Sequence, residues 1–210
     1  MRYSREHKLE THARIVKRAS VRLREKGAHG IGVADLMKDA GLTHGGFYAH
    51  FDSREGLVVE AFAHAMDRSS ECWRKLAEKT PPAQRMAAIV NSYLTPAHRD
   101  DPGHGYAIPT LGAEIARESP KTRKAFAAKL EQMIDTLAAQ IPDVSRKAAR
   151  KQATAAIGTM IGTLVMARVA GNGDFSGEIL NSGREAVLGR AAPAKRLAKN
   201  TAPKKAAARS

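Results

Sequence analysis

A single cysteine, Cys72, leaves this chain of 210 residues no partner for an internal disulfide and no set for a multi-cysteine zinc site. Aromatic residues are scarce at 5%, and no long run alternates apolar with polar positions, which argues against a strand-rich fold. No stretch approaches the roughly 20 apolar residues of a membrane-spanning helix, and no apolar segment follows Met1 as in a secretory leader. A cytoplasmic protein without membrane association is therefore expected. Also missing are a Ser-His-Asp order, a phosphate-cradling glycine loop and a pair of carboxylates at useful spacing, so no enzymatic activity and no cofactor are expected. His98 and His104 flank Asp100 and Asp101, but nothing in that spacing fixes a coordination geometry, and no metal is expected.

What is present is a globular composition, 43% hydrophobic and 27% charged, with a formal net charge of +14. The excess is uneven. Residues 1–26 hold nine basic and three acidic residues, residues 191–210 hold six basic and no acidic ones, and the middle is nearly neutral. Two cationic ends point to a polyanionic partner, nucleic acid first and an anionic membrane surface second; the alternative is a solubilising role. The Ala-Lys-Pro tail, 191–210, cannot bury a core and is expected to be disordered, either as a solvated extension or as a source of phosphate contacts.

Before position 191 the punctuation is that of helices. His12, Val16, Ala19 and Leu23 recur at helical spacing and predict a helix over 6–26, ended by Gly27 and Gly30. Short helices follow over 33–40, with Gly41 as a left-handed cap, and from Thr43 through His50. Ser53 caps a long helix reaching Lys79, where Pro81 and Pro82 break it. Helices over 83–98, 108–118, 121–140, 145–170 and 176–190 complete an all-α reading. The cluster of short helices marks a head, 1–53, and the longer ones a body, 54–190.

Between 33 and 51 the sequence VADLMKDAGLTHGGFYAHF has the order helix, glycine-containing turn, helix of a helix-turn-helix. Val33, Leu36, Met37, Ala40, Leu42 and Phe47 face inward in this arrangement, while Thr43, His44, Tyr48 and His50 stay outward. Gly45 and Gly46 remove side-chain bulk where the second helix would approach a groove wall. A helical hairpin with a glycine cap is the plainer alternative.

Residues 1–60 resemble the DNA-binding domain of the TetR/AcrR family of bacterial transcriptional regulators. The likeness rests on Arg24-Glu25-Lys26-Gly27, Ala40-Gly41-Leu42-Thr43, Tyr48-Ala49-His50-Phe51, and Ser53-Arg54-Glu55 with Leu57. Gly32 departs from it where a Thr or Ser commonly caps the second helix, and Met37 where Ala is usual. The resemblance implies an N-terminal three-helix DNA-binding domain and a larger C-terminal helical domain for effector binding and dimerisation. It implies phosphate contacts from Thr43, Tyr48, His50 and Arg54, and base contacts from Thr43, His44 and Gly45, beside Gly46. It also implies a homodimer formed by the last two long helices, with Ile157, Gly158, Ile161, Gly162, Val165, Leu180, Val187 and Leu188 as the interface; the alternative for these residues is a core helix buried within one subunit. Within the body it implies a small-molecule effector pocket, for which Met66, Trp73, Tyr93, Tyr106, Met133 and Met160 are the candidate liners. Arg68 and Lys75 fall at helical spacing from Cys72, which makes thiol sensing conceivable. The function expected is a sequence-specific, ligand-responsive repressor acting on a double-stranded operator. The alternative is an architectural protein that coats DNA through its basic head and tail.

Overall fold

The computed structural model describes residues 5–191; of the basic tail expected over 191–210 only Ala191, the end of the last helix, lies within them. Among the described residues every regular element is helical. The long helix α1 (Arg5–Lys26) buries Val16, Ala19 and Leu23 of the expected stripe, with Ile15 beside them, while His12 is half-buried. It stops at Gly27, whose φ of +83° is left-handed and whose N–H reaches the Leu23 carbonyl at 2.8 Å. Helix α2 (Val33–Asp39) buries Leu36 and Met37. It closes at Gly41 (φ +76°), where the Gly41 and Leu42 amides satisfy the carbonyls of Lys38 and Met37, each at 2.9 Å.

The next segment departs from expectation. Residues His44–Ala49 form a 3₁₀ helix, not an α-helix through His50. Two adjacent glycines offer little α propensity, so the chain tightens into shorter bonds such as Gly46 N–H to Thr43 O at 3.1 Å. Helix α3 (Arg54–Glu78) starts where Ser53 accepts from the Gly56 amide at 3.0 Å. Its first turns pack on α1, so the boundary expected after residue 53 falls at a helix shared by head and body.

The single helix expected over 83–98 is two. Helix α4 (Arg85–Tyr93) ends at Leu94, and α5 (Pro96–Asp100) begins anew. Pro96 has no amide to continue the ladder and forces Thr95 into the extended region, where its hydroxyl caps the His98 amide at 3.1 Å. The rest of the body comprises α6 (Ile108–Ile115), α7 (Pro120–Ala138), α8 (Arg146–Ala170) and α9 (Asp174–Ala191). The last begins two residues earlier than its spacing implied.

Phe62 of α3 meets Phe126 of α7 edge-on at 4.1 Å, and α8 crosses α9 closely because Gly183 has no Cβ to strike Thr163. Helix α8 is long and apolar enough to cross a membrane by length and composition, with mean hydropathy 1.5 over its most apolar window, which the sequence reading did not anticipate. Its burial pattern is that of a bundle helix: Ala149, Ala153, Ala156, Ile157, Met160, Leu164 and Ala167 face the core of the same subunit.

Candidate nucleic-acid interface and its link to the body

The head places its apolar residues beneath its polar ones. Leu36, Met37, Ala40, Phe47 and Phe51 are buried, with Phe47 and Phe51 stacked at 5.4 Å, while Val33 and Leu42 pack half-buried against them. On this platform Thr43, His44 and Gly45 are exposed, Gly46 is half-buried, and Tyr48 is 70% exposed. His44 and Tyr48 meet edge-on at 6.3 Å, and Tyr48 leans on Phe47 at 5.3 Å. A large aromatic ring left in water beside a histidine and a bare glycine is costly as a fold element and useful as a contact surface.

Two of the expected DNA-facing residues are held otherwise. Arg54 donates to the carbonyls of Ala28 and Ile31, the latter at 3.3 Å, and so pins the α1–α2 turn. His50 is half-buried among Phe51 and His12, with Nδ1 buried and unpartnered. Burial, helped by His12 and Lys8, holds its pKa below the ordinary histidine value, so it is neutral at pH 7. His12 in turn stacks on Phe51 at 4.4 Å and meets Glu60 at 2.6 Å.

The sequence reading missed the residues that fasten head to body. Arg24, on the inward face of α1, is 2% exposed. Its Nε donates to the Gly103 carbonyl at 2.9 Å, its Nη2 donates to the same oxygen, and its Nη1 reaches the Ser20 hydroxyl at 2.8 Å. Desolvation, with Arg68 nearby, lowers its pKa to about 10, so it stays charged. Glycine at 103 leaves room for the Glu25 side chain, whose carboxylate would lie 2.8 Å from a Cβ there and would have to shift. On the other side of the junction Glu114 of α6 accepts from the amides of Ala28 at 2.6 Å and His29 at 3.3 Å, and His29 meets Glu118 at 3.2 Å. Glu55 accepts from Ser119 at 2.8 Å and from Thr122, joining the starts of α3 and α7. The Arg24→Met substitution is expected to cost about 1–3 kcal/mol, because it strands the Gly103 carbonyl. Amide exchange should then quicken in residues 27–31 and 101–106 and not in α8 or α9. A uniform rise would contradict this.

Of the candidate pocket liners, Met66, Trp73, Tyr93, Met133 and Met160 are fully buried and Tyr106 is half-buried. The three aromatics come together, Trp73 to Tyr106 at 5.3 Å and Tyr93 to Tyr106 at 4.5 Å. None of the six lines the open groove of about 900 Å³ by the α8–α9 turn that is bounded by Pro96, Arg99, Phe175, Glu178 and Glu185. His98 is drawn into the aromatic cluster, while Asp100 pairs with Arg99 and Asp101 with His104, so these residues do not converge on a common centre. Cys72 is exposed.

The interface set also divides. Ile157, Leu180 and Val187 are buried inside the subunit, because α8 and α9 pack on each other through them, and are therefore unavailable for a second chain. Gly158, Gly162 and Val165 are exposed, Ile161 and Leu188 half-buried. Two large apolar residues of α8 outside the expected set are exposed as well, Met166 and Val169, at 55% and 85%, and Phe175 at the start of α9 is 65% exposed.

Residues 13–61 match the model of the bacterial regulatory proteins, tetR family. The sequence likeness to this family lies in the head. In fold the likeness extends over most of the chain. A TetR-family transcriptional regulator from Cytophaga hutchinsonii superposes with a TM-score of 0.73 at 18% identity, over 90% of this chain and 98% of that one. A TetR regulator from Chloroflexus aurantiacus does so with 0.72 at 23%, over 88% and 95%. The Bacillus subtilis regulator FadR, in complex with stearoyl-CoA, gives 0.64 at 18%, over 84% and 97%. Among curated proteins no sequence matches. The head thus matches the tetR-family model, and head and body together share the fold of TetR-type regulators.

Proposed function

We propose that the protein is a cytoplasmic, homodimeric, ligand-responsive repressor that binds a specific operator. The observation that carries the reading is the platform of Leu36, Met37, Phe47 and Phe51, which offers Thr43, His44, Gly45 and Tyr48 to solvent within a TetR head. Two such heads, held by paired bodies, would enter successive major grooves of a partly palindromic site. The exposed small and apolar residues of α8, Gly158, Gly162 and Val165, suit close packing against a second copy. Ligand responsiveness is supported by the hydrogen bonds that run from α6 and the α5–α6 loop to α1, and by the stearoyl-CoA in the B. subtilis relative. A ligand switches the protein only through unequal affinity for two arrangements of the heads.

Selection from a random pool of duplexes, followed by competition, tests the reading. A selected duplex should survive a large excess of random DNA; equal displacement would favour the architectural alternative. On the selected duplex Tyr48→Phe should weaken binding about 5–100-fold irrespective of sequence, as loss of a phosphate contact does. His44→Ala should instead alter which base is preferred. If both leave selection and affinity unchanged, this segment is not the reading element.

A further inference from the structure

The aromatic cluster of the body contains hydrogen-bond donors that the protein leaves without suitable acceptors. The Tyr93 hydroxyl, in a residue 2% exposed, has no partner. Neither has the indole N–H of Trp73, although the Tyr106 hydroxyl is near enough to sense it. Burial raises the Tyr93 pKa far above its ordinary value, so the hydroxyl remains a donor at every working pH. Beside Tyr93 lies Arg168, whose three bonds go to neutral oxygens: the Arg99 carbonyl at 3.1 Å, the Thr110 hydroxyl at 3.0 Å and the His98 carbonyl at 3.0 Å. Arg99 and Arg150 each have a carboxylate, Asp100 at 2.6 Å and Glu131 at 2.8 Å; among the described residues none pairs with Arg168. A half-buried guanidinium with no counter-ion and a buried phenol with no acceptor are both costly as they stand. Both costs are removed by the same guest, one that brings negatively charged oxygens.

The walls of the cluster are rings. Trp73, Tyr93, Tyr106 and His98 lie at centroid separations of 4.5–6.4 Å. Tyr106 is the replaceable member: it is half-buried, and it sits at the end of the α5–α6 loop, tied there by its amide to His98 Nε2 at 3.0 Å. We infer that the body binds a small planar carboxylic acid, its ring taking the place of Tyr106 against Trp73 and Tyr93 and its carboxylate meeting the Tyr93 hydroxyl and Arg168. The inference rests on the ligand-responsive reading and supplies its ligand class. Displacing Tyr106 moves the loop whose Gly103 carbonyl holds Arg24 of the head, which gives the guest a route to the DNA-binding surface.

The test uses the full chain with phenylacetate and its neutral counterpart phenylacetamide, measured by titration calorimetry and thermal unfolding. Phenylacetate is expected to bind at least about 10-fold tighter than the amide, the factor for one added charge-assisted bond. Arg168→Gln should abolish that preference. Tyr93→Phe removes only the unpartnered hydroxyl, so it should raise the Tm of the ligand-free protein by about 2–4 °C while weakening phenylacetate about 5–10-fold. Equal binding of acid and amide, or unchanged affinity in a stable Tyr93→Phe protein, would overturn the inference. DNA release separates it from the reading beneath it. Acid that binds as described without releasing a selected duplex upholds the site and defeats ligand responsiveness; release by neutral molecules alone does the reverse.

Discussion

Gly162→Arg is expected to turn the protein into a monomer and to lower its affinity for a two-half-site duplex by about 10²–10⁴-fold, the range lost when two linked contacts become independent. The glycine is exposed, and a side chain there would meet nothing within 4 Å in the subunit. Arginine is also the better helix former by nearly 1 kcal/mol, so the subunit itself should fold as before. All of the expected damage comes from a charge placed where a second α8 would pack beside Val165, Met166 and Val169. Sedimentation of the variant beside Gln132→Arg, on the exposed face of α7, measures it. A dimeric Gly162→Arg protein would move the interface to another face.

Acid is expected to weaken the fold through His98. Its Nδ1–H donates to the Tyr93 carbonyl at 2.7 Å and its Nε2 accepts from the Tyr106 amide, a pair of bonds that only the neutral ring can make. Desolvation, with a smaller contribution from Arg168, lowers its pKa to about 4, against the opposing pull of the Tyr93 carbonyl and Asp101. The folded value lies below the unfolded one. The stability is therefore complete above pH 6.5 and is lost as pH falls from 6.5 toward 4, by on the order of 3 kcal/mol. His64, lowered chiefly by its own burial, pulls in the same direction. Urea unfolding at pH 7.5, 5.5 and 4.5 should show the decline, and His98→Phe should flatten it. The same slope in the variant would assign the acid sensitivity elsewhere.

The helices and the head were legible in the sequence because their signals are local. Gly27 and Gly41 sit where left-handed backbone ends a helix, Ser53 caps at the expected place, and Val16, Ala19 and Leu23 turn inward as their spacing implies. The failures concern what other elements do to a residue. Pro96 was passed over inside an apparent helix although its missing amide and the capping Thr95 mark a break. The short helix expected from Thr43 through His50 on the strength of its cap is 3₁₀ over His44–Ala49, where two adjacent glycines weaken α propensity. Ile157, Leu180 and Val187 were assigned to a second chain because spacing cannot tell one apolar neighbour from another. Arg54 has the position of a phosphate donor, yet carbonyls 23 and 26 residues earlier engage it. The clearest missed signal was Arg24. It falls four residues after Ser20 and directly after Leu23 on the inward face of α1, and a cation there needs more than the Ser20 hydroxyl, which the distant Gly103 carbonyl supplies.

The most direct test of the account is amide hydrogen exchange of the full chain, free and bound to a selected duplex. The account predicts new protection concentrated in residues 43–49, with smaller changes passing through 27–31 and 101–106. Protection confined to the body, or binding that leaves 43–49 exchanging as in the free protein, would contradict it.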